Sequence, residues 1–158
     1  MYPLKCFILL IITLIDMFGD LQLTPHFRLS EFYNTSFDHL FSANRADFIR
    51  DRIYTVRASL IACHLEHLRH CIGDLPIRIN SGFRNHLLNI AVGGSPTSQH
   101  KSMLAVDITC PDINLLKSVV KVFDIPGFYH QVIYHDNYIH IGFNNYILKF
   151  PSCENDSF

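Results

Sequence analysis

HQVIYHDNYIHIGF, residues 130–143, decides the fold. Two β-rich runs meet there at Asp136-Asn137, a dipeptide that tolerates the positive φ of a two-residue hairpin turn. With that turn, His135 pairs with Tyr138 and Ile133 with His140. Strand side chains alternate between faces, so Gln131, Ile133 and His135 share a face with Tyr138, His140 and Gly142. Ile139, Ile141 and Phe143 take the other. LAVDIT, residues 104–109, repeats the device: Leu104, Val106 and Ile108 suit a core, and Asp107 points the opposite way with Ala105 and Thr109.

Upstream, Ala46, Ile49, Ile53, Val56, Leu60, Ile61, Leu65 and Leu68 recur at helical spacing. They predict one long helix, with Asn44 as its N-cap and Gly73 and Pro76 closing it. Residues 77–80 (IRIN) read as a short strand, SGFRN as a turn, and residues 84–92 as a short helix ended by Gly93-Gly94. A further helix spans about 112–123, opened by Pro111 and Asp112. The order predicts an α+β domain, with helices packed on a small, mostly antiparallel sheet.

Three segments divide the 158 residues. Residues 1–22 form an apolar leader, 23–150 the folded domain and 151–158 a C-terminal tail. The leader's run CFILLIITLI (6–15) is shorter than the roughly 20 residues a membrane-spanning helix needs. It reads either as a signal peptide or anchor, or as a cytosolic apolar leader or buried first element, and membrane contact is expected only if it anchors. Thirteen Lys and Arg against fourteen Asp and Glu give a formal charge of −1. That balance supplies no broad basic surface and excludes nucleic-acid binding as the main task. With 49% hydrophobic residues, one core suffices and the chain is expected to act as a monomer. The five cysteines include no CxxC pair and read mostly as small buried apolar groups.

Ten histidines prompt a search for a metal site. His64, His67 and His70 lie at i, i+3 spacing, but HLEHLRH is not HExxH, and the three read as the solvated flank of the long helix. His100, Asp107 and His140 are the stronger set. Zinc accepts imidazole nitrogen and carboxylate oxygen, and a catalytic site uses three protein ligands and leaves one position for water.

INSGFRNHLLNIAVGGSPTSQHKSMLAVDI (79–108), with LTPHFRLSEF (23–32) before it and QVIYHDNYIHIGF (131–143) after, resembles the zinc D-alanyl-D-alanine carboxypeptidase family. That family shares its fold with the Hedgehog signalling domain. The similarity covers roughly 23–150 and rests on SGFR, Asn-x-x-Val-Gly-Gly, and SQH with an Asp seven residues beyond the His. It implies a Hedgehog/DD-peptidase-like fold in which His100, Asp107 and His140 hold Zn2+. Arg84 would bind a substrate carboxylate or carbonyl oxygen, and Ser98 would hydrogen-bond substrate or brace the site. The implied substrates are peptidoglycan stem peptides of the cell wall, cut by a zinc-activated water in a D-Ala-D-Ala carboxypeptidase or a related endopeptidase or endolysin.

Two positions depart from the family pattern. Met103 stands where a Gly usually follows the first ligand His by three, and a side chain there would crowd the loop or alter the pocket wall. Asn137 stands where many relatives place an acidic general base, and an amide cannot take a proton. Asp136 and His135 are the replacement candidates, with nothing in the sequence to separate them. Asn137 and Met103 also feed a rival reading, a zinc-stabilised binding module of the same fold without catalysis. A third treats the histidines as adventitious in a structural membrane-associated protein. A signal at the N-terminus would place the protein in the periplasm or wall, and a compact wall peptidase would also suit a phage lysis protein.

Overall fold

A computed structural model describes residues 20–144. The expected tail at 151–158 lies outside the described residues, as does the leader except for residues 20–22. Four strands, β1 (Arg78–Ser81), β2 (Ala105–Thr109), β3 (Tyr129–Tyr134) and β4 (Ile139–Phe143), form one antiparallel sheet in the order β1-β2-β4-β3. The hairpin has the expected register, with Ile133 opposite His140 and Tyr134 opposite Ile139. Asp107 on β2 lies opposite His140 on β4 and, on its other side, opposite Ser81 on β1. One row across the sheet therefore reads Ser81, Asp107, His140, Ile133.

Four α-helices accompany the sheet: α1 (Asp38–Arg50), α2 (Arg52–Cys71), α3 (His86–Ala91) and α4 (Ile113–Phe123). Helix α2 buries Ala58, Ile61, Ala62, Leu65 and Leu68, and α4 buries Leu116 and Val120. Val106, Ile108, Ile139 and Ile141 meet them from one face of the sheet, all fully buried. At roughly 1.5–3 kcal/mol for each large aliphatic side chain removed from water, this layer is the main source of cohesion. The opposite face carries Asp107 and His140. Among the described residues no helix is long and apolar enough to cross a membrane.

The single long helix expected from Asn44 is instead two. Asp51 adopts an extended backbone (φ −110°, ψ 110°), and its carboxylate accepts a hydrogen bond from the Ile53 amide at 3.0 Å, capping α2. An aspartate bonding locally to backbone competes with helix continuation, while the apolar spacing runs through the break and hides it. Nor is Asn44 a cap. It is fully buried within α1, donating through Nδ2 to the carbonyls of Tyr33 (2.8 Å) and Phe83 (3.1 Å) and accepting from the Asn85 amide (2.7 Å). Cys110 is buried as expected, but Cys71 is exposed.

His64 also departs from the expected solvated flank, although His67 and His70 are exposed. Its ring sits among Phe123, Phe128, Tyr129 and Phe143, with centroids 5.5–6.2 Å away, and Nε2 lies 2.6 Å from the Tyr129 hydroxyl. Helical spacing gave the three histidines one flank, but the rings covering His64 arrive from α4 and the hairpin. Burial, helped by the charge of His67, pushes the His64 imidazole down to about 4. The unfolded chain therefore takes up this proton near pH 6.5 while the folded chain resists it to about pH 4. Stability is expected to fall between those values and level off below, by roughly 3 kcal/mol in total. His64→Gln should flatten that segment of the curve, as read by urea midpoints at pH 7 and pH 4.5; an unchanged slope would reject the assignment.

Candidate metal centre

The site is built from one sheet row and one turn. Asp107 and His140 come from β2 and β4, and His100 from the 3-10 turn Gln99–Ser102 that leads into β2. Met103 ends that turn with φ 52° and ψ 41°, its amide bonding back to the His100 carbonyl. This left-handed conformation is why glycine is the easier residue there. The Met103 side chain is fully buried in the core and does not line the pocket, so the expected change of the pocket wall does not occur.

His100 is 2% exposed, and its Nδ1 lies 2.6 Å from the Gly82 carbonyl oxygen. A carbonyl only accepts, so Nδ1 carries the proton and Nε2 turns a lone pair toward the site. Nε2 is 3.2 Å from His140 Nδ1 and 3.3 Å from Asp107 Oδ1, and His140 Nδ1 is 2.7 Å from the same oxygen. Donors around a four-coordinate ion with bonds near 2.0–2.1 Å stand about 3.3 Å apart. Two of the three separations match that edge. The third is shorter because His140 and Asp107 hydrogen-bond directly. The donor set of two imidazoles and one carboxylate fits zinc.

Arg84 donates from Nη2 to the other carboxylate oxygen, Asp107 Oδ2, at 2.6 Å and from Nε to Ser81 Oγ at 2.8 Å. It thereby fixes the plane of the carboxylate. Burial disfavours a charge on Asp107, but the hydrogen bond from His140 and the nearby positive charge of Arg84 favour it, and the carboxyl is held well below the usual range. Arg84 itself is set by its neighbours. The Phe83 amide donates to Phe32 O (2.6 Å), the Arg84 amide to His100 O (3.1 Å), and Asn44 grips Phe83 and Asn85 on either side. A Cβ on Gly82 would run into the Phe32 carbonyl, so only glycine lets this strap pass.

The three donor side chains open onto a cavity of about 490 Å³. Arg84, Ser98 and His135 all line it, and Asp136 does not. Asp136 sits exposed in the hairpin turn, where its carbonyl accepts from Lys117 Nζ at 3.1 Å. His135 stacks on Tyr138 at 4.0 Å between centroids and 12° between planes. Asn137 is exposed in the same turn, and its carbonyl accepts from Thr109 Oγ1 at 2.7 Å. His130 also lines the cavity, and sequence reasoning missed it. Alternation would put it on the core face, but the pairing shifts between Tyr129 and Gln131, and such a bulge re-aims the extra side chain.

Met103→Gly is expected to lower stability by roughly 1–3 kcal/mol, because relief of about 1 kcal/mol of left-handed strain is smaller than the loss of a buried side chain. Thermal unfolding of the two proteins checks this. His140→Ala should lose stoichiometric zinc by elemental analysis, and a variant that still held one ion per chain would exclude His140 as a donor.

The Peptidase M15 family matches residues 26–142. A zinc D-Ala-D-Ala carboxypeptidase of Streptomyces albus G is 39% identical over 56 residues, a stretch that takes in 34% of this chain and 22% of that protein. The family match encloses all three donors and all of the sheet except Phe143, and the chain belongs to the peptidase M15 family of zinc peptidases.

Proposed function

We propose that the chain hydrolyses peptide bonds in peptidoglycan stem peptides, at or beside D-alanyl linkages. The observation that carries this reading is the convergence of His100, Asp107 and His140 at the floor of a peptide-sized cavity. The substrate class is supported by the partial likeness to a D-Ala-D-Ala carboxypeptidase. Zinc held by these three side chains would supply Lewis acidity to a scissile carbonyl and lower the pKa of a water.

The chain's own residues do the rest. Among the described residues Arg84 Nη1 has no partner while Nη2 and Nε are held, so a fixed guanidinium edge can receive a substrate oxygen. Ser98 forms no cap with its side chain and offers a hydroxyl at the cavity wall. His135 is the proton acceptor in this reading, because it faces the cavity and is held by its stack on Tyr138. Asp136 is set aside, since its turn position keeps it out of the cavity. The rival reading, a zinc-bound module without turnover, draws on the missing acid at Asn137.

Digestion of purified peptidoglycan and synthetic pentapeptide stems, with zinc supplied or chelated, should give zinc-dependent fragments by mass spectrometry. Stoichiometric zinc without any cleavage would favour the module. His135→Ala should lower kcat by about 10²- to 10⁴-fold at unchanged zinc content, while Asp136→Ala stays near wild type. Full activity in His135→Ala would remove it as the base.

A further inference from the structure

A second cavity, of about 360 Å³, shares Arg84 as a lining residue with the first. Its remaining wall comes from the junction of α1 and α2, from Phe83, from the start of α3, and from Lys101 in the ligand turn. Most charges around it are already neutralised. Asp47 pairs with Arg50 at 2.8 Å and accepts from Asn85 Nδ2 at 2.9 Å, and Arg84 pairs with Asp107.

Two charges are left over, of opposite sign. Among the described residues Lys101 Nζ donates only to the Pro96 carbonyl at 2.9 Å, and the Asp51 carboxylate accepts only from the Ile53 amide. Neither forms an ion pair among the described residues. The cavity is also walled by Tyr54, whose ring lies 4.7 Å from that of buried Phe83. A flat aromatic wall with one uncommitted cation and one uncommitted anion complements an aliphatic chain that ends in both an amine and a carboxylate.

We propose that this cavity is a second subsite of the substrate groove, and that it receives a diamino acid residue whose side chain ends in an amine and a carboxylate. The proposal rests on the reading of the chain as a stem-peptide hydrolase. Asp51 receives the amine and Lys101 the carboxylate, while the aliphatic stem lies along Tyr54. Arg84, shared by the two cavities, is the divide between the subsite and the bond that is cut.

The test uses the zinc-loaded full chain and two synthetic stem peptides that differ only in the diamino acid. One side chain ends in an amine plus a carboxylate, the other in an amine alone. Wild type should prefer the first by about tenfold in kcat/KM. Lys101→Met should erase that preference by raising KM for the first peptide alone. Asp51→Asn, which keeps the helix cap, should weaken both peptides several-fold. Equal turnover of the two peptides by wild type, or a preference unchanged in Lys101→Met, would overturn the subsite and leave the stem-peptide reading standing. Failure of wild type to cut either peptide would overturn that reading and the subsite with it.

Discussion

The pairing of Asp107 with His140 across β2 and β4 is the constraint on which the site depends. Antiparallel neighbours bring opposite side chains within reach of one another, and here they place Oδ1 2.7 Å from Nδ1. A one-residue slip of either strand would send its polar side chain into the core and an aliphatic one into the site. The penalty for that slip is set by Val106, Ile108, Ile139 and Ile141, all fully buried on the opposite face. The apolar layer thus fixes the geometry of a polar site it never touches.

The third donor is held by different means. His100 lies on a single 3-10 turn, so the Arg84 amide of the SGFR strap holds its backbone carbonyl, and its ring is locked by the Gly82 carbonyl. That strap is pinned to α1 by Asn44, a buried amide with three hydrogen bonds to backbone. Leaving such groups unpaired costs about 1–3 kcal/mol each, which makes the arrangement stiff. Stiffness here serves the carboxylate. Arg84, carried by the strap, holds the Asp107 oxygen that faces away from His100 and His140.

Much of this was legible in the residues. Alternation in HQVIYHDNYIHIGF and LAVDIT gave the hairpin, its register, and the face shared by Asp107 and His140, because period-two patterning is a local property of a half-buried strand. The helix over 112–123 was marked by its cap and stripe, and begins at Ile113 with Asp112 capping it. The break at Asp51 was not legible, since apolar spacing continues on both sides of it. His64 and His130 were misjudged or missed for a related reason: rings from distant segments cover the first, and a bulge turns the second.

The sequence by itself determined the strand faces, the Asp112 cap of α4, and the identity of two imidazoles and one carboxylate suited to a divalent ion. These are properties of residue type and short spacing, and they survive without knowledge of the rest of the chain. Tertiary structure decided which groups share a cavity. It placed His135 on the wall and Asp136 in the turn, sent the Met103 side chain into the core, and set Asp51 and Lys101 around a second cavity that shares Arg84. Those outcomes depend on how segments tens of residues apart pack together, and pairwise distances between such segments are not encoded in any local pattern.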